Sequence, residues 1–173
     1  DNGGMAVRAS VPLAVAALLI TLSAVPARAD VTAFAGLTPT PAWRPTVGFS
    51  GGLTLAIVGW EVEYARTAED LKAREPGPAL RTYMGNVFVQ NPIPINGLAF
   101  YATAGAGFYR ESFDTGAATA DSITGFGTNV GGGVKIELTG PLRLRIDYRV
   151  FSFTRDAVHK TPQRFTAGLN LKF

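Results

Sequence analysis

The chain has 173 residues with a formal net charge of +3, 47% hydrophobic and 17% charged residues, 20 Gly and no Cys. That length suits one domain. The missing Cys excludes disulfide frameworks, thiolate catalysis and Cys-based zinc sites. The basic residues are spread along the chain and form no block, which argues against a nucleic-acid partner. Beyond the N-terminal region, no apolar run approaches the roughly 20 residues of a membrane-spanning helix.

The N-terminal region reads as an export leader. Residues 1–4 precede Met5 and look like an upstream remnant. After Met5 come Arg8, an apolar stretch over 11–22, and Ala27-Arg28-Ala29. This is a charged start, an apolar run of about a dozen residues and an Ala-x-Ala cleavage site. The expected division is therefore a leader over 1–29, with the signal peptide at 5–29, and a mature domain over 30–173. Cleavage after Ala29 would make Asp30 the first mature residue, with no Cys for a lipid anchor.

The mature chain alternates apolar and polar residues with period two between turn residues, the pattern of strands. Eight segments are expected, over 31–38, 46–56, 57–66, 80–90, 97–111, 123–138, 142–153 and 163–173. Most match the 9–11 residues of a tilted membrane strand. One helical turn is expected over 68–74, inside a loop that ends at Pro76-Gly77-Pro78. Connections alternate between long (38–45, 67–79, 112–122, 154–162) and shorter (56–58, 91–96, 139–141). Outer-membrane barrels show long loops outside and short periplasmic turns. An even strand number then puts both termini on the periplasmic side.

The alternation also assigns faces. Leu142, Leu144, Ile146, Tyr148 and Val150 share one face of the seventh segment; Arg143, Arg145, Asp147 and Arg149 share the other. Glu61 and Glu63 alternate with Trp60, Val62 and Tyr64, and Lys135 and Glu137 alternate with Val134, Ile136 and Leu138. A charge facing lipid at mid-depth costs about 2–4 kcal/mol, so in a membrane barrel these charges must face the lumen. A soluble lipocalin-like barrel would invert the arrangement; the turn-length asymmetry, Ala102, Ala104 and Ala106 favour the membrane form. An eight-stranded lumen is just wide enough for side chains to fill. Glu61, Glu63, Lys135, Glu137, Arg143, Arg145, Asp147 and Arg149 are therefore the candidate network that plugs it. Gly48, Gly52, Gly105, Gly107, Gly131 and Gly133 would leave room for Arg side chains and for Tyr101 and Tyr109.

The last residues, Thr166-Ala167-Gly168-Leu169-Asn170-Leu171-Lys172-Phe173, resemble the C-terminal signal of bacterial outer-membrane barrels at Thr166, Gly168, Leu171 and Phe173. The run over 129–151 is similar to Gly-Gly-Gly-x-Lys and Arg-x-Asp-Tyr-Arg stretches of such barrels. From residue 31 to Phe173 the chain resembles the small eight-stranded outer-membrane barrel proteins, of the OmpA transmembrane domain and OmpX kind. The resemblance implies an all-β, eight-stranded antiparallel up-and-down transmembrane β-barrel behind a cleaved signal peptide. It implies outer-membrane lipid and lipopolysaccharide as surroundings and the barrel-assembly machinery as a partner in biogenesis; the oligomeric state is left open by the sequence, with a monomer as the expectation.

Catalytic candidates are thin. His159 is the sole His, so a multi-His metal site is excluded. A rim hydrolase built from His159, Ser152 and Asp156 has no nucleophile motif behind it, and His159 is expected to be an exposed loop residue. The Gly-rich stretches lack the following helix that a phosphate loop needs. Trp43, Trp60, Tyr64, Tyr83, Phe100, Phe108, Tyr148, Phe165 and Phe173 read as interfacial anchors. No cofactor and no enzymatic activity are expected. The leading expectation is a structural or surface-interaction protein acting through its loops, with a narrow solute pore, a rim lipid-modifying enzyme and a soluble lipocalin-like binder as alternatives.

Overall fold

Alternating chains whose outward residues are apolar can bury their backbone polar groups in lipid only by closing on themselves. The computed structural model, which describes residues 27–70, 77–112, 122–154 and 157–173, is such a closed sheet. Its strands are β1 (Ala27–Thr38), β2 (Arg44–Leu55), β3 (Val58–Thr67), β4 (Ala79–Gln90), β5 (Leu98–Ser112), β6 (Ser122–Glu137), β7 (Leu142–Phe153) and β8 (Gln163–Lys172). Each pairs antiparallel with its sequence neighbours, and β1 closes the ring on β8 from Asp30↔Lys172 to Leu37↔Phe165. No helix of the described residues is long and apolar enough to cross a membrane; crossing falls to the strands.

All eight expected segments are strands, with boundary shifts of one or two residues at most ends. β1 departs most, because Ala27–Ala29 pair with Leu53–Leu55 at the end of β2. The leader up to residue 26 lies outside the described residues, as does most of the segment over 68–74 expected to make a helical turn. Asp70 and Gly77 form an antiparallel bridge at its base.

The short connections cluster at one end with the start of β1 and the end of β8. Ala56 takes φ 52° in the tight β2–β3 turn, and Gly140 takes φ 60° between β6 and β7. At the other end lie the longer connections. The bases of two of them, between β1 and β2 and between β3 and β4, are tied by Arg44, 2% exposed, whose guanidinium donates to the carbonyls of Thr40 (2.8 Å), Ala68 (3.4 Å) and Pro78.

The faces separate cleanly. Val62 is 71% exposed and Phe49, Val87 and Val130 are similarly open, whereas Arg149 and Asn170 are fully buried inside. Apolar-out and charged-in is the membrane arrangement, and it excludes the soluble lipocalin-like alternative on a physical ground. Water outside such a surface would meet a continuous apolar band, while six cations would sit in an interior without water's screening.

Candidate functional site

The lumen is filled from side chains that the period-two pattern turns inward. β3 contributes Glu61 and Glu63. β7, opposite it in the ring, contributes Arg143, Arg145, Asp147 and Arg149. Arg145 spans the barrel to grip both oxygens of Glu61, at 2.7 and 3.1 Å, and also reaches Asp147 at 3.1 Å. Arg149 reaches Glu61 at 2.6 Å, Asp147 at 2.8 Å and Glu63 at 3.2 Å. Each carboxylate of this core thus serves two guanidinium groups, and the Arg145–Glu61 pair has the bidentate geometry in which Arg–carboxylate pairs are strongest.

Further side chains complete the network. Tyr101 donates its hydroxyl to Asp147 and accepts from Arg145 Nε at 2.7 Å. Arg164 pairs with Glu63 and lies over the rings of Phe34 and Phe151, at 5.4 and 4.8 Å. Asn129 donates to Asn86 at 2.8 Å, and Asn86 to Glu61 at 3.5 Å. Nearer the short-turn end, Asp30 takes Lys135 at 2.9 Å and Arg143 at 3.6 Å. Lys135 Nζ also sits 4.8 Å from the centre of the Phe88 ring. Buried charges are tolerated only when paired and hydrogen-bonded in this way.

Glycines make the space. A Cβ on Gly131 would stand 2.9 Å from Arg149 Cγ, and one on Gly133 would stand 2.6 Å from the Tyr101 hydroxyl. Toward the long-loop end the filling turns apolar. Leu80, Met84, Tyr109, Phe151, Phe153 and Ala157 form a buried cluster, with Tyr109 stacked on Phe153 at 4.2 Å. Ala157, from the connection between β7 and β8, is thereby drawn into the mouth.

The sequence-predicted residues divide as follows. Glu61, Glu63, Lys135, Arg143, Arg145, Asp147 and Arg149 come together as ion pairs inside the barrel. Glu137 does not, and the expectation for it is corrected. It ends β6 opposite Arg143, is exposed at the rim, and comes within ion-pair distance of no cation among the described residues. Asp30 was missed as a network member; alternation turns Arg164 into the lumen, though the candidate network did not include it. Arg164 shares its face with Asn170, which was the signal for it. Asp30 is a single acid at a strand start, and only ring closure brings it to Lys135.

The remaining predicted positions are placed as well. Thr166 and Gly168 face inward; a Cβ on Gly168 would meet Phe34 Cβ at 2.7 Å. Leu171 and Phe173 face outward, and the Phe173 N–H donates to the Ala29 carbonyl at 2.8 Å. Ala27 and Ala29, at the expected cleavage site, belong to β1. His159 is half-buried rather than exposed, because its segment folds over the mouth, where Glu111 accepts the neighbouring Val158 N–H at 2.8 Å. Ser152 points outward, away from the lumen, and Asp156 lies outside the described residues. No cluster of His, Cys, Asp and Glu suited to a metal occurs among the described residues.

Comparison with known proteins agrees with this architecture. The model of the family described as outer membrane protein beta-barrel domain matches residues 14–173, and the chain belongs to that family of bacterial outer-membrane barrels. Among solved structures, the N-terminal β-barrel domain of Pseudomonas aeruginosa OprF superposes with a TM-score of 0.67 at 14% identity, covering 84% of this chain and 97% of that one. Neisserial surface protein A gives 0.66 at 20% identity, covering 85% and 96%. Ail of Yersinia pestis, solved in complex with the heparin analogue sucrose octasulfate, gives 0.55 at 11% identity, covering 85% and 98%. None of the curated proteins matches the chain by sequence.

Proposed function

We propose that this chain is a non-enzymatic integral outer-membrane protein whose barrel is sealed by its own side chains. On this reading it acts as a scaffold that presents the long connections to the cell exterior, where binding partners are met. The observation that carries the reading is the pairing of Glu61 with Arg145 and Arg149 across the lumen, backed at the long-loop end by the Tyr109–Phe153 cluster. A conducting lumen needs a continuous water column. Here a guanidinium–carboxylate lattice and then an apolar plug stand in series along the axis.

The same reading includes export through cleavage after Ala29 and recognition of the last strand, through Thr166, Gly168, Leu171 and Phe173, by the barrel-assembly machinery. It includes a monomer in contact with outer-membrane lipid and lipopolysaccharide. Planar-bilayer recording of the purified barrel tests the seal. The expected result is no steady single-channel current. Large, steady currents from protein that also shows heat-modifiable gel migration would replace the scaffold with a narrow solute pore.

A further inference from the structure

Among the described residues, the eight strands turn only three charged side chains outward: Arg66, Arg81 and Arg110. All three share one rung. Arg66 pairs with Arg81, and Arg81 pairs with Arg110. Directly opposed like charges lower sheet stability, and none of the three enters an ion pair among the described residues. Arg110 donates to Ser122 Oγ at 3.2 Å, a neutral acceptor. Among the described residues the row therefore has no anionic partner, and its position just inside the long-loop rim suits an anion from outside.

What lies beneath the row narrows the choice. The next outward rung toward mid-membrane is aromatic: Phe49, Tyr64, Tyr83, Phe108 and Phe126 follow one another by strand pairing. Tyr64 stands 5.5 Å from Phe49 and 5.0 Å from Tyr83. One rung deeper, Gly51 and Gly85 flank Val62 and open an apolar groove of about 580 Å³ under these rings. The glycines are not forced by packing. A Cβ would meet nothing closer than 3.9 Å at Gly51 and 3.8 Å at Gly85.

An anion-binding row above a rim of rings above an apolar groove matches a ligand that is phosphorylated at the membrane surface and acylated below it. Free phosphate would leave the groove unused, and a zwitterionic lipid would leave the arginine row uncompensated. We propose that Arg66, Arg81 and Arg110, with the groove at Gly51 and Gly85, form a binding site for a phosphorylated, multiply acylated glycolipid of the leaflet on the long-loop side. The site rests on the reading that this end faces the cell exterior.

The test reconstitutes the full barrel in phosphatidylcholine nanodiscs doped with bisphosphorylated lipid A and reads retained lipid by native mass spectrometry. Heat-modifiable migration verifies folding of every variant. Wild type is expected to retain bisphosphorylated lipid A over its dephosphorylated form. The combined Arg66→Gln, Arg81→Gln, Arg110→Gln variant is expected to lose about a hundredfold in retention, about a factor of five per arginine near a charged surface. Gly85→Leu, which fills the groove and leaves the arginines, is expected to weaken retention as well. Should the triple variant not fold, Arg81→Gln alone removes the centre of the row.

Equal retention of the dephosphorylated lipid, or retention unchanged by the arginine substitutions, overturns the proposal. So does full displacement by inorganic pyrophosphate, which assigns the row to free phosphates. A dimer mass abolished by Gly85→Leu assigns the face to a second copy of the chain. Protease accessibility of the 38–44 connection on whole cells reports the orientation separately. Failure of the outward reading is thus distinguishable from failure of the lipid site.

Discussion

Glu61→Gln is the substitution that most directly probes the sealed lumen. The carboxylate accepts three hydrogen bonds of 2.6 to 3.1 Å from Arg145 and Arg149, plus one of 3.5 Å from Asn86. The amide keeps the shape and removes the charge. Arg145 then retains Asp147 and Tyr101, and Arg149 retains Asp147 and Glu63. Neither guanidinium is orphaned, but two cations now share fewer carboxylates in a site without bulk water. Removing one partner of a buried pair costs about 3–5 kcal/mol, and the surviving partners place the expected loss near the lower end, about 3 kcal/mol. Glu61→Ala, which also leaves a void, falls toward the upper end.

The assay is reversible urea unfolding of the barrel in phospholipid vesicles, followed by tryptophan fluorescence. Trp60 is the immediate neighbour of Glu61 and faces outward, so it reports the transfer of β3 from lipid to water. Raising ionic strength should change the loss little, because salt screens buried pairs weakly. A folded Glu61→Gln barrel that loses under about 1 kcal/mol, the range of exposed ion pairs, would refute the argument that the network is buried and shared.

Other expectations follow from single positions. Val62→Arg puts a charge on the lipid face at the middle of β3 and should cost about 2–4 kcal/mol in the same vesicle assay, with far less effect in a detergent that lets the side chain reach water. Gly133→Val drives a side chain toward the Ile146 carbonyl and the Tyr101 hydroxyl, 2.1 and 2.6 Å from an added Cβ. It should lose about 1–3 kcal/mol by overpacking, visible as a lower temperature for the heat-modifiable gel shift. Arg44→Met removes the clasp on Thr40, Ala68 and Pro78. It should speed proteolytic nicking in the 67–79 connection while leaving the urea midpoint of the barrel nearly unchanged.

Much of the barrel was legible because a strand's two faces are a local property. Successive side chains point to opposite sides whatever the strand pairs with, so Arg143, Arg145, Asp147 and Arg149 had to share one face, away from Leu144, Ile146 and Tyr148. The cost of a charge in lipid then decided which face was the lumen. The same logic exposed the terminal strand, with Leu171 and Phe173 outward and Thr166 and Gly168 inward. Strand ends were less legible, since they depend on where a partner strand stops. Ala27–Ala29 extend β1 only because Leu53–Leu55 stand opposite them.

Partnership is a different matter, because it depends on register and closure, which are non-local. The sequence by itself determined that the chain alternates, that it carries eight strands, and that its charges lie on the face turned from lipid. Only the tertiary structure decided which charges meet. Closing β1 on β8 carries Asp30 to Lys135, more than a hundred residues away, and sets Glu61 of β3 against Arg145 and Arg149 of β7. It left Glu137 at a wet rim with no such partner. It also lined up Arg66, Arg81 and Arg110, which no spacing in the sequence connects. A one-residue slip in register would turn one of them inward, so the row exists only once the strand pairing is set.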